Sequence, residues 1–251
     1  MFTKQRFDNW PINQSIISGL TELGWELATQ VQKDTIPLAL EGSNVIGQAR
    51  TGSGKTGAFG IPIIQACQPK GELQALILAP TRELANQVSI EMNTIQGDLG
   101  LTIITVYGGT DLEKQARQLS DGVDIIVGTP GRVMDMTKRK YIDLDKPSIF
   151  CLDEADRMLD MGFTPQIEAI LKFIPKKHQT LLFSATLPNN ILRISQKYLN
   201  NPERISVGSL VTPIEKIKQE VLQTTQEKKY AELINQLFER KGSILVFVKT
   251  K

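Results

Sequence analysis

The chain is poor in the residues that build metal and disulfide frameworks. It has one histidine, His178, and two cysteines, Cys67 and Cys151, far apart and each among apolar neighbours. That leaves too few ligands for a disulfide scaffold or a zinc site, and a reducing, cytoplasmic setting is the simplest expectation. His178 sits in the polar stretch 176–179 (KKHQ) and reads as a solvated loop residue rather than a catalytic one. No apolar run reaches the roughly 18 residues a membrane helix needs. Residues 1–10 are polar and mixed in charge, without the apolar centre of a signal peptide. Charge of one sign is missing as well. The net charge is +2, and residues 1–207 hold 21 basic against 22 acidic side chains. No broad basic field announces a nucleic-acid partner, so any such binding has to rest on a few placed groups.

What is present is enough apolar material, 41% of 251 residues, for one full domain and part of a second. Short continuous apolar runs recur at 76–78, 103–106, 125–127, 149–152 and 181–183. Runs that do not alternate are those of strands covered on both faces. Amphipathic stretches separate them, at 83–95, 113–119, 166–173 and 190–198. This alternation predicts an α/β fold: a parallel sheet with helices on both faces.

One stretch organises the rest. Residues 49–56 (ARTGSGKT) follow an apolar run, 44–47, and lead into a helical pattern, 56–67. A strand, a glycine-rich turn and a helix in that order make a phosphate cradle, although the first position is Ala49 where glycine is usual. Ala49, Arg50, Thr51, Gly52, Ser53 and Gly54 form the turn. The two glycines let successive N–H groups converge on an anion, and the helix start adds its partial positive charge. Lys55 can reach the β- and γ-phosphates and the Thr56 hydroxyl can hold Mg²⁺.

Polar clusters follow strand after strand: 79–85 (APTRELA), 128–132 (GTPGR), 153–156 (DEAD) and 184–186 (SAT). Ligands of open α/β sheets bind outside the carboxyl ends of the strands, so these clusters are expected on one rim with the cradle. Asp153 closes an apolar strand, the setting of an acidic residue that holds Mg²⁺ beside a P-loop. Glu154 is then placed to orient or deprotonate a water. Taken alone, the two acids serve equally well as caps of the following turn; the cradle is what favours the catalytic reading.

With these motifs in order, the chain resembles a DEAD-box RNA helicase, a superfamily 2 enzyme with two RecA-like domains. The resemblance covers essentially the whole chain. It implies a P-loop NTPase fold, ATP and Mg²⁺ as ligands, and RNA as partner. Lys55, Asp153 and Glu154 would be catalytic, with Thr56 and Asp153 at the metal and Ser184 and Thr186 coupling hydrolysis to strand separation. Pro80, Thr81, Arg82, Gly109, Thr129, Gly131 and Arg132 would contact the RNA backbone independently of sequence. Phe7, with Gly24, Trp25, Thr29 and Gln32, resembles the family's adenine-reading segment. An amide can pair with adenine and an aromatic face can cover it; as bare residues, Phe7 and Trp25 read equally as core aromatics. Two departures stand out. Residues 28–32 read ATQVQ where the family commonly has two prolines, and Arg50 replaces a glutamine.

By the same resemblance, residues 1–33 are the adenine-reading segment and 34–207 the ATP-binding domain. Residues 208–213 would link to 214–251, the start of a second RecA-like domain that this chain does not complete. There a strand at 217–222, a helix at 228–240 with Leu233 and Leu237 on its apolar face, and a strand at 244–248 are expected. So short a piece builds no core of its own. A monomer that binds ATP–Mg²⁺ but turns it over weakly is the expectation. The alternative is an RNA clamp that ATP sets without turnover; Glu154, useless to a pure clamp, argues against it.

Overall fold

The computed structural model describes residues 2–207, 218 and 220–248. The chain divides into two compact units, Met1–Leu210 and Val211–Lys251.

The first unit is built on seven parallel strands: β3 (Val45–Gln48), β4 (Ala75–Leu78), β5 (Ile103–Val106), β6 (Ile125–Gly128), β7 (Ile149–Leu152), β8 (Gln179–Ser184) and β9 (Glu203–Ser206). Their order across the sheet is β5-β6-β4-β7-β8-β3-β9. A separate antiparallel ribbon joins β1 (Phe2–Arg6) to β2 (Leu27–Thr29). Every residue of β4, β6 and β7 is buried, and consecutive side chains enter opposite cores, as a period of two requires. Ile77 and Cys151 lie in one core, and Leu76, Leu78, Phe150 and Leu152 in the other.

The first core is closed by α1 (Gln14–Glu22), α2 (Gln30–Leu40), α3 (Lys55–Ala66) and α4 (Arg82–Ile95). The second is closed by α5 (Leu112–Ser120), α6 (Pro130–Lys138), α7 (Ala155–Asp160), α8 (Thr164–Phe173) and α9 (Asn189–Tyr198). The α/β sandwich expected from the apolar runs is therefore the one formed, with helices on both faces. None of the helices among the described residues is long and apolar enough to cross a membrane.

Two departures concern the first unit. The edge strand β9 had no apolar run to mark it: its pattern is charged and mostly exposed. It forms because its backbone completes the ladder on β3 from Val45 to Gln48. His178 is not freely solvated. Its Nδ1 lies 2.6 Å from the Pro175 carbonyl and its Nε2 is buried, because the loop folds down just before β8.

In the second unit α10 (Lys229–Glu239) forms within the expected 228–240 and buries none of its side chains. The expected strands do not form among its described residues. Residues 220–222 and 244–248 pair with no partner, and a strand without a neighbour leaves its ladder groups unsatisfied. The expected linker, 208–213, and Ile217 lie outside the described residues.

Candidate functional site

The parallel ladders run one residue past the strands into the polar clusters. The Ala49 N–H donates to Ser184 O at 3.0 Å, Ala79 N–H to Gly128 O at 2.9 Å, Thr129 N–H to Val106 O at 2.9 Å and Asp153 N–H to Leu78 O at 2.9 Å. Each cluster thus starts from a backbone position locked to its neighbour strand. Given the strand order, the clusters divide. Those after β3, β7 and β8 occupy one half of the rim and those after β4, β5 and β6 the other.

On the first half, Gly52 and Gly54 take φ of 77° and 94°, a left-handed backbone that a side chain resists. Gly54 is also the N-cap of α3. A Cβ there would stand 2.8 Å from Gln32 Nε2 and 2.8 Å from Thr29 Oγ1, so the loop is pressed against the start of α2. Gln32 is buried, and its amide is engaged on both sides. Its Oε1 accepts from the Thr29 N–H at 2.8 Å and its Nε2 donates to Gly54 O at 3.1 Å. Thr29 and Gln32 make a capping box. The expected base-reading amide is here a brace between α2 and the loop. Phe7 likewise lies in the core, 3% exposed and edge-on to Trp10. It packs there because its apolar ring closes the first core and presents no open face for stacking.

Lys55 is the first residue of α3, 6% exposed, and its ammonium has no hydrogen-bond partner; the nearby Ser53 Oγ is buried and unpartnered as well. Buried polar groups are normally satisfied, so a loop holding a bare ammonium and a bare hydroxyl fits an anion with several oxygens. Asp153 faces the same cleft, with Thr56, Glu154 and Trp25. Its pKa is raised to about 6, by burial first; Lys55 opposes that shift and Glu154 adds to it. Arg50 is exposed at the loop's outer edge.

Glu154 has φ 52° and ψ 50°, a left-handed conformation that costs a non-glycine residue energy and is common at functional sites. Thr51 Oγ1 donates to its Oε1 at 3.1 Å and Arg157 to its Oε2 at 3.2 Å. Behind it Asp156 clasps the cluster after β8. The Asp156 N–H donates to Ser184 Oγ at 3.1 Å, and the Thr186 N–H and hydroxyl each donate to Asp156 Oδ2 at 2.9 Å. Burial raises the Asp156 pKa, but those bonds outweigh it and hold the carboxyl below its usual range.

The second half of the rim is more open. Thr81 caps α4 by accepting from the Leu84 N–H at 3.3 Å, beside the buried Pro80. Arg82 pairs with Glu83 at the surface. Gly109 (φ 83°) and Gly131 are exposed, and Thr129 is the N-cap of α6. Arg132 is not an open fork: it donates to Gln115 Oε1 at 3.1 Å and to Thr110 O at 3.0 Å, bracing the loop after β5.

Three groups at the site carried no motif. Arg157 and Asp156 are visible only once α7 has turned back onto the strand ends. Glu91, on α4, lines the cleft near Thr56. Only the spacing 84, 88, 91, one stripe of α4, hinted at it.

A family model described as DEAD/DEAH box helicase matches residues 29–194. The chain is 41% identical over 247 residues to the DEAD-box ATP-dependent RNA helicase CshA of Bacillus subtilis, covering 98% of this chain and 50% of that protein. It is 42% identical over 249 residues to the ATP-dependent RNA helicase CshA of Listeria monocytogenes, covering 98% and 48%. It thus spans about half the length of the curated relatives it matches. Among solved structures it resembles a DEAD box protein from Methanococcus jannaschii, with TM-score 0.78 and 36% identity, over 92% of this chain and 63% of that one. A hypothetical ATP-dependent RNA helicase from Sulfolobus tokodaii gives TM-score 0.73 and 38% identity, over 78% and 57%.

Proposed function

Because the chain belongs to the DEAD/DEAH box helicase family, we propose that it is the ATP-binding core of an ATP-dependent RNA helicase. In this reading ATP–Mg²⁺ occupies the half of the rim on β3, β7 and β8, and the RNA backbone runs over the half on β4, β5 and β6. One observation carries the reading: a buried ammonium, Lys55, without a hydrogen-bond partner, in a cleft shared with Asp153 and Glu154. A cation at a helix start, beneath a glycine-rich turn, is a receptor for phosphate.

Lys55, Ser53 and the N–H groups of residues 49–54 hold the phosphates, and Thr56 and Asp153 hold the ion. Bound Mg²⁺ neutralises phosphate charge and orients the groups being separated. Glu154 is the water-orienting base; Thr51 and Arg157 fix its two oxygens. Asp156 ties Glu154's helix to Ser184 and Thr186, so a change of nucleotide state at β7 is passed to β8. Thr81, Gly109, Thr129 and Gly131 bring N–H and hydroxyl donors to the RNA phosphates, with Arg82 and Arg132 supplying charge. The adenine contacts assigned to Phe7 and Gln32 require both side chains to leave their present partners. The buried, unpaired Cys67 and Cys151 fit a reducing, cytoplasmic setting.

Calorimetry of a non-hydrolysable ATP analogue with Mg²⁺, with and without single-stranded RNA, tests the reading. Loss of one charge-assisted contact in Lys55→Ala is expected to weaken binding about 10- to 100-fold. Equal affinity in the variant, or no binding by the wild type, would contradict it.

A further inference from the structure

Glu91 and its neighbour on α4 are inverted relative to ordinary preference. Ile90 is 70% exposed, while the Glu91 carboxylate is half-buried in the cleft. Burying a carboxylate costs free energy unless a cation or donors compensate it. Among the described residues no lysine or arginine pairs with Glu91. Its one partner is the Thr56 side chain, whose hydroxyl donates to it. The carboxylate is also close enough to Asp153 for their charges to repel. The cleft therefore gathers three carboxylates, Glu91, Asp153 and Glu154, around the single buried ammonium of Lys55, with Arg157 outside on Glu154. That arrangement is short of positive charge. Yet among the described residues no three acidic, histidine or cysteine side chains are grouped so as to chelate an ion themselves. A cation held mainly by phosphate oxygens and water, with carboxylates reached through intermediaries, is the usual manner of Mg²⁺.

Resting on the reading of this cleft as an ATP–Mg²⁺ site, we propose that Glu91 is a positioning residue for the metal ion. A threonine hydroxyl has one proton and two lone pairs. By accepting that proton Glu91 turns the lone pairs of Thr56 Oγ1 towards the ion, and its charge adds to the field that draws the ion in. The bare Lys55 ammonium in the same cleft independently marks where the anionic ligand sits. Leu84, Val88 and Glu91 lie along one stripe of α4 facing α3, so the carboxylate is carried on a rigid element.

The test is a Mg²⁺ titration of nucleotide affinity, using a fluorescent ADP and this chain as wild type, Glu91→Ala and Glu91→Gln. In EDTA the three proteins should bind nucleotide within about twofold of one another. Outer partners of metal ligands typically matter 10- to 100-fold, so in Glu91→Ala the Mg²⁺ concentration for half-maximal tightening should rise about tenfold or more. Glu91→Gln keeps an acceptor for Thr56 but no charge, and should fall between. Superimposed Mg²⁺ curves for wild type and Glu91→Ala would overturn the proposal, as would equal losses with and without Mg²⁺, which mark a merely structural role. Should Glu91→Ala not fold, the near-isosteric Glu91→Gln decides: an unshifted Mg²⁺ curve overturns it. If the wild type binds no nucleotide, the ATP reading itself has failed, a result distinct from a wild type that binds with all Mg²⁺ curves alike.

Discussion

Replacing Asp153 by asparagine should make the protein more stable while disabling the site. Asp153 is 6% exposed and its pKa is raised from 3.8 to about 6, chiefly by burial. An acid whose pKa rises on folding contributes least when ionised. Its stability is fully present below the unfolded value and is lost as pH rises through the folded value. Two units correspond to about 3 kcal/mol above pH 7, a figure already net of the attraction of Lys55. About half of that loss is expected by pH 5, so the remaining 1.5 kcal/mol or so develops between pH 5 and pH 8. Asparagine mimics the neutral acid and keeps an oxygen for the Glu154 N–H, which now donates to Asp153 Oδ1 at 3.0 Å. The assay is urea unfolding in EDTA, followed by the fluorescence of Trp10 and Trp25. Asp153→Asn should exceed the wild type by about 3 kcal/mol at pH 8 and by about 1.5 kcal/mol at pH 5. A gap that does not widen with pH would refute the reasoning. So would a variant less stable than the wild type at pH 8.

Further expectations concern the scaffold. Asp124 is 1% exposed; its Oδ1 accepts from the Lys70 and Gly71 N–H groups and from Gln74 Nε2, and its Oδ2 from the Thr102 N–H. Asp124→Ala leaves those donors unsatisfied and should cost about 3–5 kcal/mol in urea unfolding at pH 7; a loss under 1 kcal/mol would be inconsistent. Gly54→Ala meets both a left-handed φ and contacts of 2.8 Å with Gln32 and Thr29. It should cost about 1–3 kcal/mol, and Gln32→Ala in the same chain should recover part of it by removing one clash. If Gly54→Ala melts with the wild type, the brace between α2 and the loop is not real.

Some of this was readable before any coordinates. The strands β4, β6 and β7 are buried on both faces, so they are written as unbroken apolar runs, and the polar clusters after them mark the rim. Lys55 and Asp153 in one cleft follow from that topology. The edge strand β9 was illegible because an exposed edge imposes no apolar pattern; only pairing with β3 identifies it. In the tail, apolar stretches suggested strands, but a strand is a property of two segments and neither found a partner among the described residues. Gln32 shows a different failure. Its spacing from Thr29 spells a capping box, yet an amide three residues after a threonine also suits a base, and contact with Gly54 becomes visible only in three dimensions. Glu91 belongs to no cluster at all; its place depends on how α4 packs on α3.

The account turns on where triphosphate and divalent ion meet. Crystals grown with a non-hydrolysable ATP analogue and Mn²⁺ in place of Mg²⁺ test it most directly, since manganese is located by its anomalous scattering. The expected result is a γ-phosphate oxygen within hydrogen-bond reach of the Lys55 ammonium and one manganese peak between Thr56 Oγ1 and the Asp153 carboxylate. A triphosphate outside the loop of residues 49–54, or a manganese peak remote from Asp153, would contradict it.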